Sequence, residues 1–215
     1  MHYDFLVEDV SGAKMLEILV AKILSPKKHS WTIKSYKGCG AIPKGMKSAS
    51  EAKSRILLDQ LPRLLEGYGK RNASAQMTDA LIVVVCDLDR RNLEKFLEEL
   101  SAIQNQCPSK PNVRFCLAIE EGEAWLLGDI AAVQKAYPKA KKQILNKYQN
   151  DSICGTWELL ADALYKGGAD KLKSLGYQAI GKEKTLWAEN ITPFMDIAKN
   201  KSPSFNSFVQ VVKNP

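Results

Sequence analysis

The chain predicts an α/β fold: a mostly parallel, Rossmann-like sheet flanked by helices, followed by an α-helical C-terminal extension. Three observations predict it. Short apolar runs alternate with amphipathic helical segments from Tyr3 to Ile119, in the order βαβαβαβ. The run from Leu81 to Cys86 is wholly apolar, as a strand buried on both faces of a parallel sheet must be. Three of the runs then stop abruptly at acids: Glu8 after the first, Asp87 and Asp89 after the third, and Glu120, Glu121 and Glu123 after the fourth. Parallel strands bring their carboxyl ends to one rim, where open α/β sheets bind ligands.

Each element follows from local pattern. Residues 3–7 are short, apolar at the centre and end at Glu8 and Asp9, which makes them the first strand. Ser11 is placed to cap a helix over residues 12–24, where Met15, Leu16, Leu19 and Ile23 recur at helical spacing. Residues 30–36 alternate Trp31 and Ile33 with polar neighbours and form the second strand. A loop holding Gly38, Gly40, Pro43 and Gly45 leads to a helix over 48–67, with Ala52, Ile56, Leu57, Leu61, Leu64 and Leu65. The polar stretch 67–78 is expected to be a loop. The third strand, 80–86, is followed by a helix over 91–105 that carries Leu93, Phe96, Leu97, Leu100 and Ile103 on one face. Pro108 and Pro111 then break the chain before the fourth strand, 113–119.

Beyond Glu120 the spacing is helical, over 124–127, 130–136, 157–164 and 185–198, and the tail carries a short apolar segment, 205–212. The expected organisation is an α/β domain over residues 1–128 and a helical extension over 129–215 packed on it.

Composition limits the function classes. The 215 residues suffice for a large core, and 45% hydrophobic with 26% charged content is ordinary for a globular chain. No apolar run approaches the roughly 20 residues of a membrane span, and no secretory signal pattern opens the chain, so no membrane association is expected. Five cysteines without a C-x-x-C pair point to a reducing, cytoplasmic setting, with Cys86 and Cys116 as small buried hydrophobes. Net charge is +7, yet only six of the 31 basic residues are Arg. A lysine-rich surface suits diffuse attraction to phosphate backbones, and equally well plain solubility.

The acids are the chemistry-bearing residues. Two carboxylates about 4 Å apart repel by roughly 4 kcal/mol at an effective dielectric near 20, so a cluster needs a cation or partial protonation. Hard oxygen donors without His or Cys select Mg²⁺ or Mn²⁺. His2 and His29 fall outside any motif. Each acid also has a bland reading: Glu8, Glu120, Glu121 and Glu123 could simply favour the first turn of a helix. Asp87-x-Asp89 is the more site-like pattern. Lys37, Lys44 and Lys47 about Gly38-Cys-Gly40 could cradle a phosphate or line a surface turn. Lys139, Lys141 and Lys142 could be a backbone-binding patch or a solvated face, and Trp125 and Trp157 sit in core-like helical patterns.

Phe-Leu-Val-Glu8 after strand one, with Val-Val-Cys-Asp87-Leu-Asp89 later, resembles the Toprim domain of topoisomerases, bacterial primases and overcoming-lysogenization-defect nucleases. Two stretches are similar to a Toprim-like family of bacterial proteins often encoded beside an SMC-like or AAA-type ATPase. They are Ala-Ile-Glu120-Glu121-Gly-Glu123-Ala-Trp125-Leu-Leu-Gly-Asp129 and Ser202-Pro203-Ser204-Phe205-Asn-Ser-Phe208. The resemblance covers residues 3–129 and about 182–212. Asp9 departs from the glycine usual after the first Glu, and Asn92 stands where a third acid sometimes falls.

The resemblance implies Mg²⁺- or Mn²⁺-dependent phosphodiester hydrolysis of nucleic acid, with DNA ranked ahead of RNA, in a defence or DNA-maintenance system with an ATPase partner. Asp87 and Asp89 would be metal ligands, Glu8 a ligand or general base, and Glu120 and Glu123 would bound a second metal site. Lys184, or Lys182, would be the electrophile for charge developing on phosphate. Two other classes stay open: a non-catalytic Toprim-fold subunit of an ATPase complex, and a haloacid-dehalogenase-like phosphatase, which places its Asp-x-Asp earlier in the chain.

Overall fold

The computed structural model describes residues 1–43, 55–77, 79–152 and 155–215. Gly45, Lys44, Lys47, Cys154 and the start of the expected second helix lie outside them.

Four parallel strands form the sheet: β1 (His2–Val7), β2 (Ser30–Ser35), β3 (Ala80–Asp87) and β4 (Val113–Ala118), ordered β2-β1-β3-β4. The fold is therefore α/β of Rossmann-like type, as the strand pattern predicts. β1 pairs with β2 through His2 opposite Ser30 and with β3 through His2 opposite Ala80; β3 pairs with β4 from Ile82 opposite Val113. Helix α1 (Val10–Ile23) carries the chain from β1 out to β2, and α2 (Leu57–Ser74) carries it back past β1 to β3. The direction of winding reverses between β1 and β3, which makes that crevice the topological switch point.

Strand alternation divides the core. Tyr3, Phe5, Val7, Leu81, Val83 and Val85 face α1 and the C-terminal helices. Leu6, Ile82, Val84 and Cys86 face α2 and α3 (Leu93–Gln106). Every residue of β3 but Asp87 is buried, which explains its unbroken apolar run.

Two expected boundaries move. The stretch expected as a loop after residue 67 continues as α2 to Ser74. Tertiary contacts outweigh its glycines and polar residues. Tyr68 and Gly69 are buried, a Cβ at Gly69 would meet Ser109 Oγ at 2.1 Å, and the Arg71 guanidinium pairs with Asp4, itself 1% exposed. The cap of α1 is Asp9, whose Oδ1 accepts from Gly12 N at 2.7 Å; Ser11 Oγ donates to the other oxygen at 2.7 Å.

The C-terminal region is helical: α4 (Glu123–Leu127), α5 (Ile130–Ala136), α6 (Lys142–Leu145), α7 (Thr156–Leu164), α8 (Gly168–Ser174), α9 (Tyr177–Ile191), a 3₁₀ turn (Thr192–Phe194) and α10 (Pro203–Lys213). The helix expected over 185–198 instead begins at Tyr177 and gives way at Thr192, where Pro193 cannot continue the hydrogen-bond ladder. The tail expected only as an apolar segment is α10, capped by Ser202 Oγ, which accepts from Phe205 N at 3.1 Å. These helices share one apolar cluster with the sheet, built around Trp125, Trp187, Phe205 and Phe208.

The two later motifs fasten to each other. Trp125 Nε1 donates to Ser204 Oγ at 3.0 Å, and Asn200 Nδ2 donates to the Trp125 carbonyl at 2.8 Å. Asp151 accepts from Ser202 Oγ at 2.9 Å and from Ser204 N at 2.6 Å. Asp129 caps α5 and accepts from Asp196 N at 2.9 Å. The Trp-Leu-Leu-Gly-Asp and Ser-Pro-Ser-Phe stretches thus form a buried clasp that lays α10 beside α4 and β4. No helix among the described residues is long and apolar enough to cross a membrane.

Candidate functional site

The site lies at the switch point. β1 ends at Val7 and β3 at Asp87, and Glu8 N donates to the Val85 carbonyl at 3.0 Å. The Glu8 carboxylate turns back along the crevice, where its Oε2 accepts from Asp87 N at 2.9 Å. Glu123 opens α4 and is 3% exposed. Lys184 reaches in from the middle of α9, its Nζ 2.9 Å from Glu123 Oε2 and 3.6 Å from Glu121 Oε1. Glu8, Asp9, Asp87, Glu123 and Lys184 line one narrow pocket of about 20 Å³, room for one water or a small ion.

The charge in this pocket is unbalanced. Burial and the neighbouring Glu8 raise the Asp87 carboxyl well above the usual carboxylate range, against the pull of Lys184. Burial likewise raises Glu8, although the Asp87 N–H favours its ionised form, and it raises Glu121 despite Lys184. Glu123 is pushed up to about 7, first by burial and then by Glu121 and Asp9. Burial alone would strip the Lys184 proton, but Glu123, Asp87, Glu121 and Asp9 together hold it well above the ordinary lysine range. One ammonium faces four carboxylates. Glu123 Oε2 is buried and meets Lys184 Nζ at 2.9 Å.

The structure brings together Glu8, Asp87, Glu123 and Lys184 among the residues singled out from sequence. It leaves Asp89 and Glu120 outside the pocket lining, although the Asp89 charge still acts on Glu8 and raises its carboxyl. Asp89 is half exposed and pairs with Arg91 Nη1 at 3.1 Å, while Arg91 Nη2 donates to the Gly40 carbonyl at 3.1 Å. Glu120 Oε2 accepts from Thr156 N, at the start of α7, at 3.1 Å. Both residues have positive φ, 52° and 54°, and Asp89 N donates to the Glu120 carbonyl at 2.8 Å. This left-handed pair rotates both side chains out of the register of their strands. Lys182 is exposed and stands apart from the pocket.

Two contributors were not assigned a role from sequence. Glu121 takes the place expected for Glu120: it ion-pairs with Lys184 and accepts from Thr156 Oγ1 at 3.0 Å. Asp9, the departure from the usual glycine, caps α1 and adds negative charge at the pocket. An acid after a strand and before a helix is the available signal for Asp9; nothing in the Glu-Glu-Gly-Glu run tells which acids face inward. Of the two tryptophans in core-like patterns, Trp125 is fully buried, whereas Trp157 is half-buried with Lys173 Nζ 5.4 Å from its ring centroid.

Fold and site together define an α/β chain with an acid-lined pocket at the switch point of its sheet. The chain belongs to the family described as domain of unknown function DUF4276, matched over residues 7–213. No curated protein and no solved structure matches it.

Proposed function

We propose that the chain is a Mg²⁺- or Mn²⁺-dependent nuclease that hydrolyses phosphodiester bonds of DNA or RNA and acts with an ATPase partner. The observation that carries this reading is the excess of buried carboxylate at the switch point, where Glu8, Asp87, Glu121 and Glu123 are all held toward protonation. Such a site is short of positive charge, and all its donors are hard oxygens of the kind that select Mg²⁺ or Mn²⁺. The buried Glu123 Oε2 already meets Lys184 Nζ at 2.9 Å and adds a further hard oxygen to the set. The donor chemistry fits the ion. The placement fits in part, because no three His, Cys, Asp or Glu side chains among the described residues are gathered as a ready metal cage. The partner rests on the Toprim-like resemblance alone.

In this mechanism Glu8, Asp87 and Glu123 would hold the metal, which when bound activates water and offsets charge on the phosphate. Glu8 orients the turn after β3 through its bond to Asp87 N. Lys184 presents a fixed ammonium to a non-bridging phosphate oxygen, where charge builds during attack. Glu121 holds Lys184 from one side and the start of α7 from the other. Asp89 and Arg91, at the rim, tie the end of β3 to the loop after β2.

The ion pairing of Lys184 also favours a second reading, a non-catalytic Toprim-fold subunit whose lysine is the permanent counterion. One set of measurements separates the two. Purified protein is assayed on single- and double-stranded DNA and RNA with Mg²⁺ or Mn²⁺, with and without the ATPase, and Mn²⁺ binding is measured by calorimetry. The nuclease reading expects cleavage and Mn²⁺ binding, both lost in Asp87→Ala and Glu8→Ala. Absence of cleavage under every condition refutes it, and Mn²⁺ binding without cleavage leaves the second reading.

A further inference from the structure

The face of α9 that carries Lys184 into the pocket continues outward to solvent. Tyr177 opens the helix seven residues earlier, 93% exposed. Seven residues span about 10 Å along a helix and return to within about 20° of the same face. Between them, on that face, lies Gly181, and a Cβ built there meets nothing within 4 Å. Ala188, one turn beyond Lys184, lines the pocket itself. Tyr177, Gly181, Lys184 and Ala188 therefore form a stripe that runs from an exposed aromatic ring, over an open stretch, to the carboxylates.

The ground beside this stripe carries exposed lysines. Residues 158–183 hold four lysines (Lys166, Lys171, Lys173 and Lys182) and four acids, of which Asp162 is engaged by Ala169 N at 2.7 Å and Glu158 by Lys173. All four lysines are exposed. Lys173 Nζ sits over the half-buried Trp157 ring and pairs with Glu158 Oε1 at 3.2 Å, and Trp157 N donates to Glu121 Oε2 at 3.3 Å, so this flank adjoins the pocket wall. Leu175, 51% exposed, stands next to Tyr177 at the tip. A flat aromatic ring among lysines, on a helix face that leads to a phosphate-handling pocket, matches the recognition of unpaired bases and their backbone.

We propose that the α8–α9 tip and the Tyr177–Gly181–Lys184 stripe are the track for a single-stranded nucleic acid, with one base stacked on Tyr177 and its phosphates beside the α8 lysines. The proposal rests on the nuclease reading for its chemistry and deepens it by naming the substrate class. A duplex keeps its bases stacked on one another and has no free face to offer Tyr177.

The test is binding in metal-free buffer with chelator, by fluorescence anisotropy, on a labelled oligothymidylate, a matched RNA strand and a duplex. Tyr177→Ala should weaken single-strand binding about five- to hundredfold, with duplex binding unchanged. Tyr177→Trp should retain the wild-type affinity. Gly181→Leu, whose side chain enters open space and leaves the fold intact, should obstruct the track and weaken single-strand binding as well. The proposal is overturned if the wild type binds no single strand, if Tyr177→Ala leaves affinity unchanged, or if it weakens duplex and single strand alike. In the second of those outcomes the tip is left to a protein partner. Because no metal is present, the two readings fail separately. A chain that binds strands through Tyr177 and never cleaves them refutes only the nuclease.

Discussion

Glu123→Gln probes the charge imbalance of the pocket without disturbing its shape. Glu123 is 3% exposed, and its carboxyl is raised from its ordinary 4.5 to about 7. An acid whose folded value lies above its unfolded one binds more protons when folded. Its contribution is therefore fully present below pH 4.5 and is lost as pH rises toward 7. A rise of that size amounts to roughly 3 kcal/mol. Glu8, Asp87 and Glu121 are raised as well and act with the same sign. Lys184, raised above its ordinary 10.5, contributes stability throughout the acidic and neutral range and so drops out of the comparison. Glutamine cannot ionise, and Lys184 keeps Glu121 and Asp87 as partners.

Urea unfolding in chelator at a series of pH values between 4.5 and 8 reads this directly, with m held common to both proteins. The two proteins should be nearly equal at the acidic end. The variant should then gain on the wild type as pH rises, by up to roughly 3 kcal/mol. Parallel profiles would refute the argument, and so would a variant that loses stability at alkaline pH. The latter would mean that the 2.9 Å contact with Lys184 outweighs the burial of the carboxylate. Added Mn²⁺ should narrow the gap: an ion at a hundred times its Kd adds about 2.7 kcal/mol to the wild type and less to a variant with one oxygen donor fewer.

Other perturbations test the scaffold. Arg71→Met strands Asp4, which is 1% exposed and keeps only its contacts with Thr32 and His2. The expected cost is about 2 kcal/mol by urea midpoint, below the 3–5 kcal/mol typical of a fully buried pair, because Arg71 is itself 41% exposed. Asp4 is buried, yet hydrogen bonds from Arg71 and Thr32 hold it below its usual range. Its stabilisation is therefore present above its ordinary 3.8 and lost as pH falls through its folded value, so Arg71→Met should unfold at higher pH than the wild type in an acid titration. Gly69→Ala should cost about 1–3 kcal/mol by overpacking against Ser109. Gly67→Ala, in the same helix with open space about it, should instead stabilise by about 0.5–1 kcal/mol. Ser204→Ala removes the acceptor of the Trp125 indole and should cost about 1–3 kcal/mol, read by unfolding followed through tryptophan fluorescence.

What the sequence reveals and what it hides divide along one physical line. A strand buried on both faces must be apolar throughout, and the charge that ends it must stand at the rim, so β3 and Asp87 are visible without coordinates. Strand order adds Glu8, because β1 and β3 are neighbours at the switch point. The extent of α2 is hidden because residues 67–74 look like a loop until Asp4 and Ser109, distant in sequence, supply the contacts that fold them. The rotation of Asp89 and Glu120 is hidden for a related reason. Period-2 alternation predicts which way a side chain points only while the backbone stays extended, and both residues leave the strands with positive φ. Two of the acids that made the rim look like a metal site thus serve the loops around it, and Glu121 takes the inward position. The motif that most resembles a family signature proves to be divided in the same way. Its glutamates face the pocket or the start of α7, while Trp125 and Gly128 close on Asn200 and Ser204 and Asp129 closes on Asp196, with a Cβ at Gly128 meeting Asn200 Oδ1 at 2.1 Å. The clasp fixes the C-terminal helices against the sheet, and α9 is one of them. Lys184 is held among the carboxylates only while that packing stands, so the helical extension is as much a part of the site as the strands that end in it.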